Sequence, residues 1–366
     1  MERRRFIFPS FMCHPNSIEG SRVPGQGPGD ICRGFFVLFG AVKAILLRNQ
    51  QSQHDKLTFI MDLMGCGTAL VTPFRRDGSV DEPALHALVN WQIESGIGFL
   101  VPCGTTGEAS TLAEAEWLRV VEIVVATSSG RVPVFAGCTH NATHEAVGRA
   151  RKLSKIHGLS GILTANPYYN RPGQEGQYQH FRAIAESTDL PILLYNIPSR
   201  TGANLEPATI SRLAELKNVI GVKESSGNLA QITELLITVP RSFKVLAGDD
   251  ALSLPILALG GVGLVSVASN VIPGQMVRMV GAALENDWLD ARRINRRFYR
   301  LMQALFWEAS PAPAKAVLHM VGRSEDVLRL PMVPVSDSTR RKLERMVGEL
   351  GMLAGIPATG EDLRMF

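Results

Sequence analysis

The sequence predicts an α/β fold closed as a (β/α)8, or TIM, barrel with additional C-terminal helices, and three observations carry the prediction. Eight short runs of β-branched and apolar residues follow one another after residue 66. The segments between them carry apolar residues at three- and four-residue spacing, which marks amphipathic helices. No G-x-G-x-x-G follows the first run, where TALVTPFRRDGS stands instead, although an open doubly wound sheet usually opens with that fingerprint. Strands alternating with helices pair in parallel with both faces covered. Eight such units in about 210 residues suffice to close a barrel.

In order, the runs are GTALVTPF (67–74), IGFLVPCG (97–104), VPVFAG (132–137), SGILTANP (160–167), PILLYN (191–196), VIGVKE (219–224), FKVLAG (243–248) and GLVSVAS (263–269). Asp81 is placed to cap the first intervening helix, and Gly158 to close the third. Four more helices are expected at 272–284, 287–308, 311–321 and 338–354. They exceed one barrel's needs and would cap it or build an oligomer contact. The expected organisation is an irregular extension over 1–60, a catalytic barrel over 61–285 and a helical region over 286–366.

Charge separates the extension from the rest. Residues 1–60 hold 8 of the 38 Lys/Arg and 4 of the 34 Asp/Glu, leaving 30 of each sign and the whole net +4 in the extension. A balanced body gives no reason to expect nucleic acid or an anionic membrane as partner. The apolar run GFFVLFGAVKAILL is interrupted by Lys43 and falls short of the roughly 20 residues a bilayer span needs. Residues 1–60 read as a start placed too far upstream, with Met61 or Met64 as the natural one, or else as an organellar transit segment. The expected location is cytoplasmic, organellar in the second case. The five cysteines (Cys13, Cys32, Cys66, Cys103, Cys138) show no C-x-x-C and no zinc-type spacing, which suits free thiols in a reducing compartment.

In such a barrel, chemistry sits at the C-terminal strand ends, and here those ends are polar. The second run leads into GTTGE, the fourth into NPYYNR, the fifth ends in Tyr195-Asn196, the sixth in Lys223-Glu224 and the seventh in Gly248-Asp249-Asp250. If Ile220 and Val222 face the helices, alternation turns Gly221 and Lys223 toward the axis. The same parity turns Leu193 and Tyr195 inward, so neighbouring strands deliver an amine and a phenol to one cavity. Gly221, one layer below, is expected to leave the lysine stem uncrowded. A neutral amine can attack a ketone and form a Schiff base. The water lost and regained needs a proton relay, which tyrosine and threonine hydroxyls can supply. A solvated lysine at a strand end is the commoner arrangement, but it does not explain a phenol beside it. GTTG alone would be a turn with a threonine cap; its free N–H groups and hydroxyls also suit a carboxylate. The Arg200 fork suits one too. The eight histidines form no H-x-x-H, so no metal is expected, and Asp249-Asp250 reads as loop structure.

Together, G-T-T-G-E, P-Y-Y-N-R-P-x-Q-E-G, Y-N-x-P-S-R-T-G, G-x-K-E-S-S-G-N and G-D-D resemble the dihydrodipicolinate synthase family, pyruvate-dependent aldolases related to N-acetylneuraminate lyase. The likeness spans about 67–350 with the motifs in family order. It implies condensation of pyruvate with L-aspartate 4-semialdehyde on the path to diaminopimelate and lysine, with no cofactor beyond an imine at Lys223. It makes Tyr195 the neighbouring proton donor and acceptor. Thr105 completes the relay with Tyr169, the latter reaching in from another subunit of a homotetramer. Thr106, the backbone at Val265 and Gly248 fall to pyruvate binding, and Arg200 to the semialdehyde carboxylate. The family's lysine-feedback cleft is matched by Asn141, Glu145 and Tyr168, but Glu114 and Trp117 stand where bacterial members carry histidines. Two other readings stay open: another pyruvate-dependent aldolase, such as an N-acetylneuraminate lyase or keto-acid sugar aldolase, and a non-catalytic barrel that serves as a binding module.

Overall fold

Eight parallel strands form one sheet in the order β2-β1-β8-β7-β6-β5-β4-β3, in a computed structural model that describes residues 63–352. They are β1 (Gly65–Ala69), β2 (Phe99–Val101), β3 (Phe135–Gly137), β4 (Gly161–Ala165), β5 (Ile192–Asn196), β6 (Val219–Glu224), β7 (Lys244–Ala247) and β8 (Gly263–Ser266). The ring closes between β2 and β3 through a single bridge, Leu100 to Val134. All eight expected strands are present, mostly shorter than the runs that predicted them. Prolines explain part of the trimming, since Pro73, Pro102 and Pro133 have no N–H to give a ladder.

Glycines facing phenylalanines fill the barrel floor. A Cβ on Gly67 would lie 2.1 Å from the Phe99 ring, and one on Gly161 would lie 2.5 Å from the Phe135 ring. The two rings meet edge to face, 6.4 Å between centroids. Each bulky side chain thus occupies room that its neighbouring strand vacates, as a closely packed interior requires.

Outside the ring lie α1 (Glu82–Glu94), α2 (Glu114–Ser128), α3 (Thr143–Leu153), α4 (Gln174–Glu186), α5 (Pro207–Leu213), α6 (Leu229–Thr238), α7 (Ser253–Ala258) and α8 (Pro273–Leu284). Asp81 caps α1 as expected, accepting from the Ala84 N–H at 3.2 Å. The third helix stops at Leu153, before Gly158, which takes φ +87° in the loop beyond. Three further helices follow: α9 (Trp288–Ala304), α10 (Ala312–Met320) and α11 (Asp337–Glu349). Among the described residues no helix is long and apolar enough to cross a membrane. The extension over 1–60, its apolar run, Cys13 and Cys32 lie outside the described residues; Cys66, Cys103 and Cys138 are buried free thiols.

Candidate active site

β5 and β6 build the centre of the site. Their register pairs Tyr195 with Lys223 and Leu193 with Gly221, so both chemical groups stand on one level of the barrel wall. Tyr195 is 6% and Lys223 5% exposed. The lysine Nζ lies 4.2 Å from the centroid of the tyrosine ring. An aromatic face attracts a cation at that distance, so the ring also fixes where the amine points.

The glycine that clears the lysine stem is not the one expected. A Cβ on Gly221 would meet Lys244, 2.4 Å from its carbonyl oxygen and 2.8 Å from its Cβ. Gly221 therefore gives way to the neighbouring strand, because parallel strands put side chains of one level beside each other. Gly248, just past β7, does the work assigned to Gly221. A Cβ there would lie 2.9 Å from both Cγ and Cε of Lys223, and 2.0 Å from Ser225 Oγ.

Buried carboxylates tie the strand ends together. Glu224 accepts from Asn196 Nδ2 at 3.1 Å and from the Ser226 N–H at 2.6 Å. Burial raises its pKa above the ordinary carboxylate value, against those hydrogen bonds. Asn196 also receives the Leu205 N–H at 2.9 Å, and Asn166 donates to Gln177 at 2.9 Å. Asp250, read from sequence as loop structure, is a buried anchor for the end of β8. It accepts from Ser266 Oγ at 2.5 Å and from the Val267 and Ala268 N–H groups at 3.0 and 2.9 Å. Its pKa too is raised by burial. The paired D-D was the available signal, but nothing in the sequence distinguishes an anchor from a solvated turn.

Of the other expected residues, Val265 lies on a strand and the rest on or beside loops. Thr105 is exposed and Thr106 buried, in the turn after β2. Val265 is buried on β8, in register with Gly67. Arg200 is exposed on a single helical turn, Pro198–Thr201. Tyr169 is 88% exposed with φ +74°, and its N–H reaches the Thr201 carbonyl at 3.3 Å. Among the described residues, no hydrogen bond joins Thr105, Tyr169 and Tyr195 within one chain. Asn141 lies just before α3 and Glu145 in its first turn, and Asn170 Nδ2 donates to the Asn141 carbonyl at 3.2 Å, which brings the Tyr168 loop to the start of that helix. Trp117 is buried, donates to the Gly137 carbonyl at 3.1 Å and lies 5.5 Å from the Arg149 guanidinium; Glu114 is engaged by Lys152.

The arrangement offers an amine and a phenol side by side, out of bulk water. That set suits imine chemistry on a small keto acid. The chain is similar to proteins of one family. Residues 62–350 match the model of the Dihydrodipicolinate synthetase family. A 4-hydroxy-tetrahydrodipicolinate synthase of Acidobacterium capsulatum is 59% identical over 298 residues, covering 81% of this chain and 99% of that protein. One from Nitratidesulfovibrio vulgaris is 48% identical over 294 residues, covering 80% of this chain and 100% of the relative. The crystal structure of dihydrodipicolinate synthase from Aquifex aeolicus superposes with a TM-score of 0.77 at 40% identity, over 79% of this chain and 99% of that one. The Thermotoga maritima structure gives 0.78 at 39%, over 80% and 100%. The motifs, the barrel and these relatives agree, and the chain belongs to the dihydrodipicolinate synthetase family.

Proposed function

We propose that this protein is a class I lyase that condenses pyruvate with L-aspartate 4-semialdehyde to 4-hydroxy-tetrahydrodipicolinate, in lysine and diaminopimelate biosynthesis. The buried Tyr195–Lys223 pair carries the reading. The neutral Lys223 amine adds to the pyruvate ketone, and the carbinolamine loses water to an iminium. Tyr195 supplies the proton that leaves with that water. Loss of a methyl proton gives the enamine, whose carbon attacks the aldehyde. The semialdehyde's own amine then adds to the imine carbon, closes the six-membered ring and expels the Lys223 amine, so one water is lost overall and the cyclic product leaves. No external cofactor enters.

Thr105 and Tyr169 complete the relay in this reading. A tyrosine 88% exposed on its own barrel is available to a neighbouring copy, which supports a homotetramer built from pairs. Thr106, Gly248 and the Val265 backbone hold pyruvate, and Arg200 takes the semialdehyde carboxylate. If a lysine-feedback ligand binds, Asn141, Glu145 and Tyr168 are its contacts, since Glu114 and Trp117 are engaged within the chain. The enzyme is taken as cytoplasmic.

The test supplies the full chain with both substrates and couples the product to dihydrodipicolinate reductase, following NADPH absorbance. Turnover should be rapid in the wild type and absent in Lys223→Ala, which should still fold. Borohydride should trap one pyruvate on Lys223. An adduct without turnover would keep the aldolase and discard the aldehyde; an adduct surviving Lys223→Ala would sink the assignment.

A further inference from the structure

The C-terminal region reaches the site through a fully buried lysine. Lys315 on α10 is 0% exposed, and its Nζ lies 2.5 Å from Glu108 Oε1 and donates to the Val327 carbonyl at 2.9 Å. The contact with Glu108 is ionic, since Oε1 makes no well-directed hydrogen bond. Nζ also stands 4.1 Å over the Phe74 ring. Burial pulls the lysine pKa down to about 8, with Glu108 opposing the fall. Arg329 closes the arrangement. Its N–H reaches Glu108 Oε2 at 3.2 Å, while its guanidinium binds both Glu116 oxygens at 2.6 and 2.7 Å and the Gly78 carbonyl at 2.7 Å.

Glu108 ends the G-T-T-G-E turn, 3% exposed and at φ +52°, the left-handed region that a side-chain-bearing residue adopts only when its surroundings hold it there. Its own N–H bonds the Thr105 carbonyl at 3.1 Å, and the Gly107 N–H bonds the Gly104 carbonyl at 3.1 Å. A shift of Glu108 is therefore a shift of Thr105 and Thr106. A buried ion pair is a poor device for stability, because an apolar pair of equal volume usually does as well. Its directional value lies in fixing one arrangement of the groups it joins.

We propose that Lys315 and Arg329 are positioning residues that set the Thr105–Thr106 turn against the Lys223 site by holding Glu108. The proposal rests on the aldol reading, in which Thr105 relays protons and Thr106 holds pyruvate. They act through Glu108 and touch no substrate.

The full-length Lys315→Met variant tests this, beside Glu108→Gln/Lys315→Met, which removes both charges and so leaves no buried charge unpaired if the single change does not fold. Both should still give the borohydride-trapped adduct on Lys223. Their kcat should fall on the order of 100-fold, as small misplacements of reacting groups cost, and KM for pyruvate should rise. The double variant should melt near the wild type and stay slow, whereas a purely structural pair would recover stability and kcat together. Amide exchange should quicken over 104–111 and stay unchanged over 219–224. Wild-type kcat and KM in the folded double variant, or unchanged exchange over 104–111, would overturn the proposal. A wild type that forms no adduct would overturn the aldol reading instead, and the exchange measurement would still decide the role of Lys315.

Discussion

The two halves of the candidate site are held in place by different means. Lys223 and Tyr195 stand on adjacent strands, and ladder register alone puts them side by side. Thr105 and Thr106 stand on a turn with no ladder, whose last residue is held from about 200 positions away by Lys315 and Arg329. A strand aims a side chain through its period of two, so precision comes with the sheet. A turn has no such rule and must borrow rigidity from whatever packs on it.

The largest expected break of that contrast is Gly248→Ala. The new methyl would meet Lys223 Cγ and Cε at 2.9 Å and Ser225 Oγ at 2.0 Å, so the lysine must leave its direction although its strand is untouched. We expect kcat/KM to fall on the order of 100-fold, with pyruvate adduct formation slowed in stopped trapping experiments. Near-normal kinetics would mean that the strand aims the amine without the room that Gly248 leaves.

Gly221→Ala sharpens the comparison from the other side. Its methyl would press on the Lys244 backbone carbonyl at 2.4 Å, which no rotamer change relieves. The expected loss is about 1–3 kcal/mol in denaturant unfolding, with a far smaller effect on the rate of the folded enzyme. A rate loss exceeding that of Gly248→Ala would reverse the roles assigned to the two glycines.

The smallest effect concerns neither half. His180 is buried on α4, bonded to Thr143 Oγ1 at 2.9 Å, and burial lowers its pKa from 6.5 to about 4. The unfolded chain therefore binds this proton more readily than the folded one between those values. Stability gained from the neutral ring is lost as pH falls from about 6.5 through 4. His180→Gln should flatten the fall in melting temperature over that window, and an unaltered slope would assign it to other groups.

What the sequence made legible follows the same division. Alternation in VIGVKE and PILLYN located the inward amine and phenol, because period two survives translation from letters to geometry. Eight runs with intervening helices located the ring. Gly221 was misjudged because the atoms it avoids lie on the next strand, at a level that register sets and one sequence does not state. Lys315 went unread, and Asp250 was read as loop structure, for a related reason. PAPAKAV looks like a solvated lysine on a helix, and only tertiary packing buries it.

The join between β2 and β3 gives the ring a preferred place to part. Seven neighbouring pairs are laced by ladders of two or more residue pairs, whereas this one has a single bridge, with Gly137 packed so tightly under Cys103 that a Cβ would lie 1.9 Å from its carbonyl oxygen. Local opening starts where the fewest paired groups must separate. By that rule this join, beside the Thr105–Thr106 turn and across the wall from Lys223, is expected to show the earliest amide exchange among the strand pairs.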